Sequence, residues 1–341
     1  MSEQGRRRAT FAALTALLPL ALVIATAAGS VWLPVGGLLS SIAGAIGLRA
    51  DSALGAAGEA ILWTVRLPRV LLAGLVGGGL AVVGATLQSV FRNPMADAGL
   101  LGVGSGAALG AVLAVRLGWS SELFLALPLA AFAGAMAAAL AVYGLAHAGG
   151  RASLQGLLLT GLAVSALAAA GTSVLLVATE EFRVKTVLFW LAGGLEGRSW
   201  THLKMGGALI VTGAALLGLL ARPLDLLSLG EEEAAALGLP VHLTRLLLLA
   251  LASLVAGAAT AVAGSVPFVG LVAPHALRPL VGPLSRHLLP ASFLAGAALV
   301  VRADLASRTL SPSMDLPLGS LTAFVGAPYF LIALRASESR A

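Results

Sequence analysis

Apolar runs separated by short polar stretches alternate along almost the whole chain. Ten of these runs are long enough to cross or nearly cross a hydrocarbon layer about 30 Å thick. They cover residues 10–33, 67–91, 98–116, 122–147, 154–178, 203–221, 243–266, 267–282, 288–307 and 317–335. The pattern predicts an all-α polytopic membrane protein with about ten transmembrane helices in a single domain, residues 1–341. An even number of crossings places both termini on one side of the membrane.

The composition supports a membrane protein and narrows its chemistry. Of the 341 residues, 59% are hydrophobic and 11% are charged, whereas soluble domains contain about 25% charged residues. The 42 glycines are typical of membrane helices, because small residues let two helices approach closely. The absence of cysteine excludes disulfides and cysteine-based metal sites. A net charge of +6, spread between apolar runs, indicates topology and lipid head groups, and not nucleic-acid binding.

Three arginines at positions 6–8 precede the first apolar run. The small residues of "ATAAGS" could mark a signal-peptide cleavage site. The run nevertheless continues to Leu33, which is the length of a full span. We therefore predict an uncleaved first helix, with residues 1–9 and both termini in the cytoplasm.

The predicted outer side carries nearly as many basic residues as the inner side, ten against eleven of the 21 in the chain. Only the N-terminal arginines therefore support the orientation, and the outer arginines need another role. One outer segment, "RVKTVLFWLAGGLEGRSW" at 183–200, is aromatic in its centre and charged at both ends. This pattern predicts an interfacial helix on the outer surface.

A weak internal repeat relates two parts of the chain. A shift of 180 residues aligns "AVVGATLQSVFRNPMA" with "AVAGSVPFVGLVAPHA". With the predicted topology the two copies run in opposite directions. This is the inverted-repeat arrangement of many transporters.

Motifs for catalysis and nucleotide binding are missing. A P-loop requires a lysine after a glycine, but neither Lys185 nor Lys204 follows one. The five histidines are scattered and no pair has the HExxH spacing, so we expect no metal site and no catalytic residue. The chain is predicted not to be an enzyme by itself.

A capped helix is predicted between the sixth and seventh spans. In "DLLSLGEEEAAALGLPVHLTR" three glutamates open the helix and complement its dipole, and Gly-Leu-Pro closes it. A short helix exposed to the cytoplasm over 228–242 is suited to docking a soluble partner.

Four separated blocks of the sequence carry a family resemblance. They are "RLPRVLLAGLVGGGLAVVGATLQSVFRNPMADAGLLGVGSGAALG", "LSLGEEEAAALGL", "GSVPFVGLVAPHALRPLVGP" and "DLPLGSLTAFVGAPYFLIAL". Together they resemble the FecCD-type permeases, which are the membrane subunits of ABC importers for ferric siderophores, haem and vitamin B12. The resemblance covers nearly the whole chain after about residue 55.

The resemblance implies a set of partners and a location. The chain would form a homodimer with two ATPase subunits, which bind the ATP and Mg, so that this chain binds no cofactor. A soluble or lipid-anchored substrate-binding protein would dock on the outer side. The assembly would lie in the bacterial cytoplasmic (inner) membrane as a multi-pass protein in contact with lipids.

The resemblance also implies a docking site for the binding protein. The matching residues are Arg66 and Arg69 in "RLPR" and Arg308 in "RADLASR". Guanidinium suits this role because it stays charged and can bind a carboxylate through two parallel hydrogen bonds. The arginines of "RLPR" would share a face of the helix and present a basic patch to the outside. The alternative is that each arginine snorkels at the membrane interface.

A cytoplasmic gate is implied by the "RNPMADAG" break and by the "ASLQG" loop. The matching residues are Asn93 and Met95 in the break, and Ser153, Leu154 and Gln155 in the loop. A vitamin B12 permease has small hydroxyl residues in this loop, from which Leu154 and Gln155 depart. Alternatively Asn93 caps the next helix and Met95 packs.

The coupling site implied by "LSLGEEEAAALGL" comprises Leu229, Gly230, Glu231 and Leu237. These residues match the family's coupling helices, which sit in a cleft of the ATPase subunit. Closure of the ATPases would push the helices and tilt the spans.

Two further arginines lie at the level where substrate would enter. Arg183 could meet the carboxylates of haem or a siderophore, or pair with Glu180 or Glu181. An unpaired charge near the outer end of the ninth span would be costly, so Asp304 is a candidate partner for Arg302.

We therefore predict the permease of an importer for an iron complex, either haem or a ferric siderophore, with vitamin B12 as the alternative. A stand-alone ion-coupled transporter is disfavoured because it would need carboxylates at mid-membrane. The acidic residues of this chain lie in loops or at the ends of spans.

Overall fold

The computed structural model describes residues 2–29, 31–48, 53–147, 154–311 and 314–338, and the regular structure of these ranges is helical. The first half of the chain contains α1 (Glu3–Ala27), α2 (Val35–Ala45), α3 (Gly55–Ala60), α4 (Leu67–Val90), α5 (Val103–Arg116), α6 (Trp119–Glu122), α7 (Ala126–His147) and α8 (Leu154–Val177). The second half contains α9 (Glu181–Leu191), α10 (Trp200–Leu219), α11 (Ala221–Leu229), α12 (Glu231–Ala236), α13 (Val241–Ala263), α14 (Val269–Val281), α15 (Ser285–Thr309) and α16 (Leu318–Glu338).

A helix corresponds to each of the ten predicted crossings. Seven helical segments of the described ranges are long and apolar enough to cross a membrane, and α5, α14 and residues 318–332 of α16 are shorter apolar helices. The all-α polytopic fold is confirmed. The internal repeat stays a prediction.

The second crossing is longer than its apolar run. A single turn of π-helix, Ile61–Arg66, joins α3 to α4 without a break, so that the helical segment covers Gly55–Val90. Pro68 follows this π-turn, and such a local π adjustment lets a membrane helix accommodate a proline without a break.

Two boundaries and one helix differ from the sequence prediction. The first helix ends at Ala27, before the end of its apolar run at Leu33. The interfacial segment is helical only as far as Leu191, because the chain turns at Gly193 with φ +75°, a conformation that glycine adopts readily. The short apolar helix α2 was not predicted, since its 11 residues are too few to cross a bilayer.

Helix α4 forms the centre of the fold and is surrounded by α1, α10, α13, α14 and α15. Its glycines bring these neighbours close. A Cβ atom on Gly77 would collide with the backbone of Gly296 in α15, and one on Gly84 with the backbone of Gly270 in α14. This is the small-residue packing expected between membrane helices. Helices α5, α7 and α8 pack together beside this centre.

Candidate docking, gate and coupling sites

The end of the bundle that carries Arg66, Arg69 and Arg308 is called the outer end, after the predicted topology. The structure brings the three side chains together, but it buries Arg66 and Arg69. The expectation of an exposed basic patch is therefore wrong. Their role in docking stays a prediction.

Arg66 is held by the end of α1. Its Nη1 donates to the carbonyl oxygens of Thr26 at 2.9 Å and Ala27 at 2.8 Å, and its Nη2 donates to that of Val31. The last carbonyls of a helix lack partners within the helix. A guanidinium group has enough donors in one plane to satisfy several of them at once. The side chain of Arg66 is thus directed inward.

Arg69 and Arg308 share the carboxylate of Asp304, which is 0% exposed. The Nε of Arg69 lies 2.8 Å from Asp304 Oδ1, and the Nε of Arg308 lies 3.1 Å from Oδ2. Arg69 also pairs with Asp315 at 2.7 Å. In the described part of the chain Asp304 therefore pairs with Arg69 and Arg308, and not with Arg302 as expected. Arg302 is exposed.

A cavity of ≈ 580 Å³ lies beside this network and is called the outer cavity. Three arginines and four aromatic residues line it together with two acidic residues. They are Arg69, Arg183, Arg198, Phe124, Phe182, Phe189, Trp190, Glu196 and Asp315. The cavity therefore combines guanidinium donors with aromatic surface.

Arg183 lines the outer cavity but already has protein partners. Its Nε lies 2.9 Å from Glu180 Oε2, and its Nη1 donates to the carbonyl oxygen of Val115 at 3.1 Å. The alternative of pairing with a neighbouring glutamate is thus observed for Glu180. Contact between Arg183 and substrate stays a prediction.

Arg198 was not singled out from the sequence. Its Nη1 lies 3.4 Å from Nε2 of His202, and within the described residues its buried Nε has no hydrogen-bond partner. Burial lowers the pKa of Arg198 to about 10, which leaves the side chain charged at neutral pH. The one indication in the sequence was that Arg198 lies at the end of the aromatic outer segment 183–200. The helix of this segment ends at Leu191, so Arg198 does not lie on the same helix as Arg183.

The predicted gate lies at the opposite end of α4. The Oδ1 of Asn93 accepts a hydrogen bond from the amide of Met95 at 2.9 Å, so Asn93 stabilises a turn. Asp97, and not Asn93, caps the next helical turn through a 2.9 Å bond from the amide of Gly99. The side chain of Met95 is partly exposed.

The second part of the gate is only partly described. Ser153 lies outside the described residues. Leu154 begins α8 and is half-buried, whereas Gln155 is exposed. The gate role of all five residues stays a prediction.

Helices α11 and α12 meet in an elbow at Gly230, whose φ of 146° and ψ of 158° are accessible essentially to glycine alone. Leu229 and Leu237 flank α12 and are 60% and 62% exposed. Glu231 forms an ion pair with Arg245 of α13, which links the elbow to the bundle. The two leucines therefore form an apolar surface on the elbow, while the carboxylate of Glu231 is paired with Arg245 of the same chain. The coupling role stays a prediction.

Gln88 is a buried polar residue that the sequence analysis missed. Its Nε2 donates to the carbonyl oxygen of Gly270 at 3.1 Å, and its Oε1 accepts from Nη2 of Arg278 at 3.2 Å. The side chain therefore connects the inner half of α4 to α14. It lies inside an apolar run, where a single glutamine gave no signal of its partners.

Known proteins are similar to this chain over most of its length. The cobalamin import permease of Halobacterium salinarum is 45% identical over 283 residues, which are 83% of this chain and 75% of that protein. The hemin transport permease of Yersinia pestis is 42% identical over 285 residues, 82% of this chain and 85% of that protein.

A solved structure has the same fold. It is an inward-facing ABC transporter assigned to the metal-chelate type, with a TM-score of 0.85 and 31% identity, and the match covers 96% of this chain and 99% of that chain. Residues 17–336 match the family model of the FecCD transport family. The chain therefore belongs to the FecCD transport family and is a multi-pass membrane permease of an ABC importer of the metal-chelate type.

Proposed function

We propose that this chain takes an iron complex, haem or a ferric siderophore, from a binding protein and releases it into the cytoplasm. In this proposal two copies form the pathway and two ATPase subunits, which bind ATP and Mg, drive it. The assembly lies in the bacterial cytoplasmic (inner) membrane with both termini in the cytoplasm.

The observation that carries the choice of substrate is the lining of the outer cavity. Carboxylates of haem or of a carboxylate-bearing siderophore can form charge-assisted bonds with Arg183 and Arg198. A planar macrocycle can stack on exposed aromatic side chains such as Phe182 and Phe189. Both features are present in one cavity of ≈ 580 Å³.

The alternative substrate is vitamin B12. It is favoured by the similarity to the cobalamin import permease, at 45% identity. Cobalamin carries amide groups around its corrin ring in place of free carboxylates, so it would gain less from the two guanidinium groups. The two candidates therefore differ in how strongly they should depend on Arg183 and Arg198.

The experiment is ATP-driven uptake into proteoliposomes that contain this chain with its ATPase subunit, in the presence of its binding protein. We expect ATP-dependent uptake of haem or of a ferric siderophore, and little uptake of cobalamin. Replacing Arg183 and Arg198 by glutamine should reduce uptake of the iron complex. Cobalamin uptake that is insensitive to both replacements would establish the alternative. The purified chain alone should not hydrolyse ATP.

A further inference from the structure

A second cavity lies at the inner end of the bundle, on the side of the elbow, and belongs to none of the sites above. It is a groove of ≈ 360 Å³ between α10 and α15, with Val82 of α4 in its floor. The walls are mainly apolar, from Ala214, Ala215 and Gly218 on one side and Leu289 and Phe293 on the other. We call it the α10–α15 groove.

The position of the groove determines what can fill it. Its walls belong to Trp200–Leu219 and Ser285–Thr309, two helices long and apolar enough to cross a membrane. Only 33% of the residues in the most apolar part of α10 are buried within the described chain. Lipid tails are the apolar material that surrounds such helices.

A positive charge lies at one end of the groove. Arg286 lines it in the first turn of α15 and is exposed. The next residue, His287, lies with its Nδ1 3.5 Å from Nη1 of Arg7. A second arginine, from the N-terminal triplet, is therefore near the start of α15. Asp225 is the local counter-charge, and its Oδ1 accepts the amide of Ser285 at 2.8 Å. Two arginines and one aspartate therefore lie around the start of α15, and Arg286 is the arginine that lines the groove.

An apolar groove between membrane helices with an arginine at the helix end matches the two parts of a phospholipid. Basic pockets between transmembrane helices bind anionic head groups. We propose that the α10–α15 groove binds an anionic phospholipid, with an acyl chain along Ala215 and Phe293 and the phosphate on Arg286. The site goes beyond the proposed function, because it depends only on the membrane placement and not on the transported substrate.

The chain offers a matched pair of variants for the apolar part. Gly218 lies in the last turn of α10, and a Cβ atom there would meet nothing within 4 Å. Gly218→Leu therefore places an apolar side chain in the groove from a position that has room for its Cβ atom. Gly144→Leu is the control, since Gly144 lies in the last turn of α7 and a Cβ atom there also meets none of the described residues within 4 Å.

A second pair tests the head group. Arg286→Gln removes the charge from the groove. Arg335→Gln is the control, because Arg335 is exposed in the last turn of α16 and does not line the groove.

The experiment is native mass spectrometry of the delipidated full-length chain titrated with dioleoyl phosphatidylglycerol or dioleoyl phosphatidylcholine. We expect the wild type to prefer phosphatidylglycerol by about fivefold, the effect of one arginine near an anionic head group. Arg286→Gln should abolish the preference, Gly218→Leu should remove one bound lipid of either kind, and both controls should behave as wild type. Thermal unfolding of each variant checks that the fold is retained.

Three outcomes would overturn the proposal. Equal binding of the two lipids by the wild type would remove the head-group site. Unchanged lipid binding in Gly218→Leu would place the lipid elsewhere. A change of oligomeric state in Gly218→Leu would identify the occupant as a second copy of the chain.

Discussion

Single carboxylates determine how the outer arginines are arranged. Asp304 is fully buried between Arg69 and Arg308, whereas the side chain of Asp315 is 28% exposed and forms its ion pair with Arg69. Removing one partner of a buried ion pair is costly, because the other charge stays buried without compensation. A carboxylate from another protein can therefore replace Asp315 more easily than Asp304.

Asp315→Asn tests the docking prediction. Loss of its charge should leave Arg69 more available to a carboxylate of the binding protein, so affinity should rise by up to about fivefold, the effect of one exposed ion pair. The salt dependence of association should also become steeper. The measurement is association of the binding protein with the reconstituted complex across a salt series.

Glu196→Gln provides the control for this experiment. This substitution also removes one negative charge from the outer cavity. Among the described residues, however, Glu196 is not an ion-pair partner of Arg69. If the two variants changed the affinity equally, the change would be explained by the net charge of the outer end and not by Arg69. No effect of Asp315→Asn on affinity or salt slope would contradict the docking role of Arg69.

At the scale of helices, glycine contacts set the distance between α4 and its neighbours. Gly84 and Gly270 meet backbone to backbone, and Gln88 joins the same two helices one turn further along α4. The close approach and the buried amide therefore support each other. Separating α4 from α14 would strain both.

Gly84→Ala should destabilise the protein by about 1–3 kcal/mol, because the added methyl group collides with the backbone of Gly270. Gly104→Ala in α5 is the control, since an added Cβ there meets nothing within 4 Å. Thermal unfolding in detergent measures both. Equal melting temperatures for the two variants would show that α14 adjusts freely.

The elbow gives a second prediction at this scale. Replacing both Leu229 and Leu237 by serine should leave the fold intact, because both side chains are exposed. The variant should recover less ATPase subunit on copurification, since burial of a leucine contributes about 1.5–3 kcal/mol. Leu310→Ser, at the exposed outer end of α15, is the control. Full recovery of the ATPase with the double variant would exclude the elbow as the contact.

For the whole molecule, the gate predicts that the two copies approach each other at the inner end. Because the chain has no cysteine, a single cysteine at Asn93 can be cross-linked without other changes. Cross-linking should block uptake into proteoliposomes while docking of the binding protein persists, and reduction should restore uptake. Normal transport by the cross-linked dimer would place Asn93 away from the constriction.

The helices of the whole molecule could be predicted because hydrocarbon imposes length and apolarity on every span. Helix α2 was not predicted because its 11 residues are too few to span the bilayer. The end of α9 was not predicted because hydropathy does not distinguish a glycine in a turn from a glycine in a helix. The glycine-rich "GLVGGGL" was correctly placed in a helix, although glycine has low helix propensity. Tight packing of α4 explains this.

The outer arginines could be identified from the sequence, but the groups that they bind could not. The acceptors of Arg66 lie 35 to 40 residues away in the chain, and Asp304 lies 235 residues from Arg69. Only the tertiary fold brings these groups together. A hydrophobic pattern shows which charged residues lie at the ends of spans. It does not show which groups those residues bind in the folded protein.

The bonds at the outer end also have a mechanical consequence. Arg66 connects the start of the central crossing to the carbonyls of Thr26 and Ala27, and Arg308 connects α15 to those of Ala25 and Ala28. A rearrangement that keeps these bonds must hold the outer ends of α1, α4 and α15 together. None of these bonds reaches α5, α7 or α8, so those three helices can shift relative to the joined ends without breaking them. The outer arginines thus hold three helices together at one end, and we expect the relative motion of transport at contacts that these bonds do not cross.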